Sequence, residues 1–500
     1  MTEGDELEPR PARAARGRRR RRMLLRGWLT LIGLTAILSV FATLLARGVY
    51  AGSPSGQTAP AAPPPPAVPA AQSGTPSGTP DVALAPPSAE PPPAPIPAEV
   101  LAHLPVTRDV LEPAAALVAN GSGIASDEEA LFELLPSPPG EATIASPLKV
   151  EYTFDPRLTR RIFDLLSEQG VHLANIVVMD PATGRLLAYV STDTQRFPPN
   201  RTYPAASLIK VVTAAAALHH DRERAEQPCH FLGSPYQLTP ARINPPRRGQ
   251  TVTLERALAT SNNQCFAQLA VHTLGTDAMV DAIKRFGFLR VPAPGHSAGT
   301  IDPGSDLYDL GRLGCGLWGT WITPLHAVQL GASLADGQIV DPWWIEHATD
   351  AKGRELELPI HHPPRQVMTP ALAEELRSML IETTVSGTAR RGFHDRGGNP
   401  LLGSIQVAGK TGSLNGTEPA GRYEWFAGVA PADHPSVAIA VVVVLQQRYW
   451  LHASQLAGEV LRSYFCESGG CGGEAVPSSA AALPSRPTRH RHHRLHAQGG

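Results

Sequence analysis

The sequence predicts an α/β domain of the α+β type, in which a sheet built from N-terminal and C-terminal strands is covered by helices. Three observations support this prediction. Strand-like apolar runs open and close the stretch 148–466, and segments with helical periodicity lie between them. The residues from 52 to about 98 are rich in proline and small side chains and cannot bury a core.

The N-terminus predicts a membrane anchor. The chain has 500 residues and a net charge of −1, so its composition does not favour nucleic-acid binding. An arginine-rich stretch, 10–22, precedes an uncharged stretch, 27–46, which as a helix is about 30 Å long, the thickness of a bilayer core. This order places residues 1–26 in the cytoplasm as a basic tail. The alternative is a signal peptide cleaved near Ala51, but such peptides have shorter apolar stretches of about 7–15 residues.

Two segments are predicted to be mostly disordered. Between 52 and 98 about one residue in three is proline, so 47–147 is expected to be an extended linker, with one or two short helices after 99. Residues 467–500 form a second such segment, rich in small residues. Its histidines raise the alternative of metal binding, but the tail offers no ordered geometry for a metal site.

The elements of the predicted domain follow in order along the chain. Two strands, 175–180 and 185–191, flank a turn, and a helix covers 205–219. Helical periodicity over 253–274 is broken near Ser261. Thr323 and Thr369 are predicted N-caps of helices that extend to 335 and 384. The last elements are strands at 404–410, 424–430 and 436–445 and a helix at 453–465.

The chain has five cysteines, and in an oxidising compartment some of them should pair. Cys466 with Cys471 and Cys229 with Cys265 are possible pairs that leave Cys315 over, but the sequence does not fix the connectivity. No two cysteines have C-x-x-C spacing, so no metal site is predicted.

The first chemical motif is Ser207-Leu208-Ile209-Lys210 at a predicted helix start. Residues three apart share a helix face, so the Lys210 amine can reach the Ser207 hydroxyl. The aliphatic residues that follow would bury this helix, and burial favours the neutral amine, which is a general base. Taken alone, the motif is more often an ordinary surface lysine with a capping serine.

The second motif is Ser261-Asn262-Asn263, at the break in a helical pattern. Ser261 can pass a proton to a leaving amine, and Asn263 can hold a substrate amide. Taken alone, these residue types more often cap a helix.

The third motif is Lys410-Thr411-Gly412-Ser413, on a predicted strand that ends at the glycine. Glycine lets a ligand lie against the strand edge. Lys410 supplies positive charge for an anionic group, and Thr411 a hydroxyl for a carboxylate.

Together the three strings resemble the S-x-x-K, S-x-N and K-T-G set of penicillin-binding proteins and serine β-lactamases. Flanking strings at 150–158, 178–188, 323–325, 387–389 and 425–428 resemble landmarks of the penicillin-binding transpeptidase domain over 148–466. The resemblance implies an antiparallel sheet. It also implies that Ser207 is the acylated nucleophile, Lys210 its base and Ser261 a catalytic hydroxyl.

The resemblance assigns further roles. Asn263, Lys410, Thr411, Gly412 and Ser413 would bind substrate, and the backbone N–H groups of Ser207 and Ser413 would form the oxyanion hole. No cofactor is implied. The implied partners are peptidoglycan stem peptides, β-lactams as inhibitors, the membrane and a glycan polymerase. The implied location is the bacterial cytoplasmic membrane, crossed once, with the catalytic domain outside.

Three activities remain open at this stage. A D,D-transpeptidase that cross-links stem peptides is favoured, because an anchor and spacer suit an enzyme that faces the wall. A carboxypeptidase or β-lactamase on the same scaffold, or a non-catalytic sensor, are the alternatives. The string Gly314-Cys315-Gly316-Leu317-Trp318-Gly319 spells G-x-G-x-x-G, but no apolar strand precedes it, so a glycine-rich loop near the active site is predicted instead of a nucleotide site.

Overall fold

The computed structural model describes residues 92–111, 130–141, 143–446, 451–466 and 471. The predicted basic tail and transmembrane helix lie outside these residues, as does the C-terminal tail apart from Cys471. Within the described ranges, no helix has the length and apolar character needed to cross a bilayer.

The described strands are β1 Leu131–Leu135, β2 Leu148–Tyr152, β3 Ala174–Met179, β4 Leu186–Ser191, β5 Tyr203–Pro204, β6 Cys229–Phe231, β7 Gln250–Val252, β8 Thr300–Ile301, β9 Thr320–Ile322, β10 Gln338–Ile339, β11 Ile345–Thr349, β12 Arg365–Gln366, β13 Ala408–Thr417, β14 Ala420–Ala430 and β15 Val437–Leu445. The described α-helices are α1 Ala98–Leu101, α2 Pro156–Glu168, α3 Ile209–His220, α4 Arg222–Glu226, α5 Leu254–Ala259, α6 Asn263–Gln268, α7 Gly275–Arg285, α8 Leu307–Cys315, α9 Pro324–Asp336, α10 Pro370–Val385 and α11 Ala453–Cys466.

A five-stranded antiparallel sheet forms the centre of the domain, in the order β13-β14-β15-β3-β4. Its two N-terminal and three C-terminal strands confirm the predicted architecture. Because both faces are covered, strands such as β15 are apolar along almost their whole length. Val441 packs on the face that carries α2 and α11, whereas Val442 belongs to the larger core on the opposite face.

Several helix boundaries follow from local chemistry. The Thr323 side chain accepts a hydrogen bond from the His326 backbone, and His326 closes a capping box at the start of α9. The Thr369 side chain caps α10 in the same way by accepting from Leu372 N. Both predicted caps are confirmed. The break predicted near Ser261 is also present, since α5 ends at Ala259 and α6 begins at Asn263.

The strand predicted at 404–410 has different bounds. β13 begins at Ala408, passes through Gly412 and ends at Thr417, where it turns into β14. The prediction that the strand ends at the glycine was wrong. Ten register pairs with β14 keep the strand regular despite its glycines, since backbone pairing does not require side chains.

Part of the predicted linker belongs to the core. Val100 and Val106 are buried against it, and Leu131 lies in β1, which pairs with β2. These apolar residues are few and lie among small and acidic ones, so the sequence did not indicate that they join the core. The predicted boundary at 148 therefore falls inside a three-stranded sheet, β1-β2-β11.

Two cysteine pairs are bonded in the structure. Cys229 is joined to Cys265, and Cys466 to Cys471, while Cys315 is a buried free thiol. These are the pairs that the sequence left open. The first bond ties β6 to α6, the helix that begins at Asn263.

Candidate active site

Ser207 lies where a short 3₁₀ turn, Ala206–Leu208, runs into α3. The preceding residue, Ala206, has a φ of +49°, in the left-handed region that non-glycine residues seldom occupy. Such strain concentrates at functional sites. Ser207 itself is only partly buried, so its hydroxyl is positioned at the edge of the domain core.

Lys210 is the centre of the site. It is 0% exposed, and its Nζ donates to Ser207 Oγ at 2.7 Å, to Asn263 Oδ1 at 2.7 Å and to Ser261 Oγ at 3.3 Å. All three acceptors are neutral groups. Burial therefore lowers the pKa of Lys210 to about 8, although the nearby Cys315 thiol opposes this effect. About one amine in ten is consequently neutral at pH 7 and can accept a proton from the serine.

The three residues of the second motif make different contacts. Ser261 has a φ of +56°, and its hydroxyl faces Lys210. Asn262 is the helix cap, because its Oδ1 accepts from the backbone N–H groups of Gln264 and Cys265. Asn263 is thereby left free to accept from Lys210, while its Nδ2 donates to the backbone carbonyl of Tyr236 at 2.8 Å.

The third motif lies on β13, the edge strand of the central sheet. Lys410 is 0% exposed, and its Nζ donates to the Thr411 carbonyl at 2.9 Å. Burial, with a smaller contribution from repulsion by Lys210, holds the pKa of Lys410 well below its usual range. A Cβ on Gly412 would lie 3.3 Å from Ser207 N, so the absence of a side chain lets the strand approach the nucleophile closely.

Two contacts at the rim involve residues that were not predicted to belong to the site. The Thr388 hydroxyl is 2.5 Å from that of Thr411, and Thr388 N donates to the Ala259 carbonyl. Arg422 Nη2 donates to Ser413 Oγ at 2.9 Å. Thr388 could have been found from its place in the 387–389 landmark string, whereas only the pairing of β13 with β14 reveals Arg422.

The structure thus brings Ser207, Lys210, Ser261 and Asn263 into one hydrogen-bonded cluster, with Gly412 against the nucleophile. Lys410 is close enough to Lys210 for repulsion between the two amines to lower the pKa of Lys410. The chemical roles of these residues and the oxyanion hole remain predictions. Across the described residues there is no group of three or more His, Cys, Asp or Glu side chains placed to hold a metal ion.

Comparison with known proteins gives the family. The family model described as the penicillin-binding protein transpeptidase domain matches residues 174–463, which is more than half of the chain. The chain belongs to the penicillin-binding protein transpeptidase family. This range contains all three motifs and the whole five-stranded sheet.

The individual relatives share a low sequence identity with this chain, but the similarity extends over more than half of its length. The chain is 27% identical over 337 residues to the peptidoglycan D,D-transpeptidase PbpA of Mycobacterium tuberculosis, covering 59% of this chain and 67% of the relative. It is 26% identical to the PbpA of Mycolicibacterium smegmatis over 340 residues, with the same coverage. A solved structure of penicillin-binding protein A from M. tuberculosis, as a penicillin G acyl-enzyme complex, superposes with a TM-score of 0.50 at 25% identity, covering 63% of this chain and 79% of that one.

Proposed function

We propose that this chain is a peptidoglycan D,D-transpeptidase that works through an acyl-serine intermediate and is acylated by β-lactams. The observation that carries the proposal is the 2.7 Å hydrogen bond from the buried Lys210 amine to the Ser207 hydroxyl. The M. tuberculosis and M. smegmatis relatives are peptidoglycan D,D-transpeptidases, which supports it.

In the acylation step, neutral Lys210 removes the proton from Ser207 Oγ as the oxygen attacks the carbonyl between the two terminal D-alanines of a stem peptide. Negative charge then develops on the carbonyl oxygen, and the backbone N–H groups of Ser207 and Ser413 stabilise it. Collapse of the tetrahedral intermediate breaks the C–N bond. The leaving amine takes its proton from Lys210 by way of the Ser261 hydroxyl, and D-alanine departs.

In the second step, an amine of a neighbouring stem attacks the acyl-serine. Its proton returns to Ser207 Oγ through Lys210, and a new peptide bond joins the two stems. A β-lactam follows only the first step, because its leaving amine remains tethered to the acyl group and blocks the attacking amine.

The same cluster organises substrate binding in this proposal. Asn263 and the edge of β13 at Lys410 to Ser413 face the acyl donor, which lies along the strand as an added chain. Thr411 and Ser413 offer hydroxyl groups to the terminal carboxylate of the donor. Their contacts with Thr388 and Arg422 orient these hydroxyls before substrate binds.

The remaining proposals concern the whole protein. We infer that the segment 27–46 anchors the chain once in the bacterial cytoplasmic membrane and that the linker holds the catalytic domain outside. The chain would then act on glycan strands made by a separate polymerase. Protease treatment of intact protoplasts tests the orientation: the catalytic domain should be digested, and protection of that domain would contradict it.

Labelling with a fluorescent penicillin tests the reaction. The parent protein should form a stable covalent adduct, and the Ser207→Ala variant should form none. An unlabelled parent, or a labelled variant of normal fold, would refute the assignment. Rapid turnover of the penicillin would favour the hydrolase alternative, and a stable adduct without cross-linking of purified stem peptides would favour the sensor.

A further inference from the structure

The residue before the nucleophile is held in a conformation that its own chemistry disfavours. Ala206 has a Cβ and a φ of +49°, so its backbone stays in the left-handed region only if its surroundings keep it there. Ser207 follows directly, and therefore any rotation at Ala206 moves the Ser207 hydroxyl relative to Lys210.

Two glycines pack against the Ala206–Ser207 segment. A Cβ on Gly412 would lie 3.3 Å from both Ala206 Cβ and Ser207 N. A Cβ on Gly316 would overlap the carbonyl carbon and oxygen of Ala206 and come within 2.9 Å of Ile209 Cγ2. Gly316 thus packs directly against the Ala206 peptide, with no room for a side chain.

The segment that follows Gly316 holds the chain just before the nucleophile. Ala205 N donates to the Thr320 carbonyl at 3.0 Å, and β5 pairs with β9. Gly316 itself ends α8 with a φ of +78°, a left-handed cap that suits glycine. The glycines of the G-x-G-x-x-G string therefore have a structural use unrelated to nucleotides.

We propose that Gly316 is a positioning residue for the reaction: its bare Cα against the Ala206 carbonyl fixes the left-handed backbone that aims Ser207 Oγ at Lys210. This inference rests on the proposed function, since it concerns the rate at which the acyl-serine forms. The nearest neighbours of a Cβ at Gly316 belong to Ala206 and Ile209 and not to the reacting atoms, so Gly316 acts through this segment.

The chain offers a matched control at the end of another helix. Gly337 ends α9 with a left-handed φ, +83°, and a Cβ there would also overlap a backbone carbonyl. That carbonyl belongs to Met368, just before α10, and not to the nucleophile segment. Alanine at 316 and at 337 therefore imposes the same kind of strain, but only the former presses on Ala206.

The test compares Gly316→Ala and Gly337→Ala in the full chain. The measurements are the melting temperature, the limiting acylation rate at saturating penicillin and the apparent binding constant. Both variants should melt at lower temperature. Only Gly316→Ala should lose about 10²-fold in limiting rate, the loss expected when a reacting atom is misplaced by about 1 Å, with little change in the binding constant. Equal losses in the two variants, or a normal rate in Gly316→Ala, overturn the proposal.

Ala206→Gly is a second variant, and it does not require the fold to accept a side chain at position 316. It retains the contact with Gly316 and removes the side chain that disfavours the left-handed region, so it should fold and lose less than about tenfold in limiting rate. A loss of about 10²-fold would show that the Ala206 side chain, and not Gly316, positions the serine. A parent protein that forms no acyl-serine would refute the proposed function and this inference together, whereas the other outcomes refute the inference alone.

Discussion

The acylation rate should depend on the charge of Lys210, and Asn263→Asp tests this dependence most sharply. With a pKa of about 8, Lys210 is neutral in about one molecule in ten at pH 7, against about one in three thousand at the ordinary value of 10.5. The parent rate should therefore rise about tenfold between pH 6 and 7 and level off above pH 8.

Asn263→Asp replaces the amide oxygen, 2.7 Å from Lys210 Nζ, with a carboxylate of the same shape. An opposite charge at this range stabilises the ammonium and should move the inflection of the rate profile upward by about 1–3 pH units. The acylation rate at pH 7 should then fall by about 10- to 1000-fold, and much of the loss should be recovered as the pH approaches the new inflection.

The assay is stopped-flow acylation by a chromogenic β-lactam from about pH 6 to 9.5; an inflection beyond this range is recognised because the rate still rises about tenfold per pH unit at its upper end. Asn263→Ala is the control, because it removes the acceptor without adding charge and should leave the inflection near pH 8 or move it lower. An inflection that stays near pH 8 in Asn263→Asp, or that moves the same way in both variants, would refute Lys210 as the general base.

Two further predictions concern stability. His296 and His326 are buried with pKa values of about 4, chiefly through desolvation. In the unfolded chain each histidine regains its ordinary pKa of 6.5, so between pH 6.5 and 4 the unfolded state binds more protons than the folded state. The free energy of unfolding should be unaffected above about pH 6.5 and fall by about 3 kcal/mol per histidine as the pH drops to 4. Urea unfolding at pH 7 and pH 4.5 measures this change, and equal midpoints would contradict it. The Cys229–Cys265 bond closes a loop with a separation of 36 residues, so replacing both cysteines by serine should cost about 3–4 kcal/mol of unfolding free energy. Chemical denaturation measures this cost, and an unchanged midpoint would show that the bond does not constrain the unfolded chain.

The sequence was informative where local chemistry decides structure. The caps at Thr323 and Thr369 and the helix break near Ser261 depend on side chains that satisfy nearby backbone groups, and these can be read from spacing. The clustering of Ser207 and Lys210 follows from helical periodicity alone. The motifs on different elements could be brought together only through the family resemblance.

Features that depend on distant partners could not be predicted. The full length of β13 is set by its pairing with β14, and the contact of Arg422 with Ser413 appears only in that register. Sequence spacing could not show that Asn262 takes the cap and leaves Asn263 to Lys210. Nor could it show that Gly316 packs against Ala206, about a hundred positions earlier in the chain.

The most direct test of the central claim is mass spectrometry of the protein after brief exposure to penicillin G. We expect the intact mass to increase by one penicillin and peptide mapping to place the added group on Ser207. An unmodified protein, or an adduct on any other residue, would contradict the account.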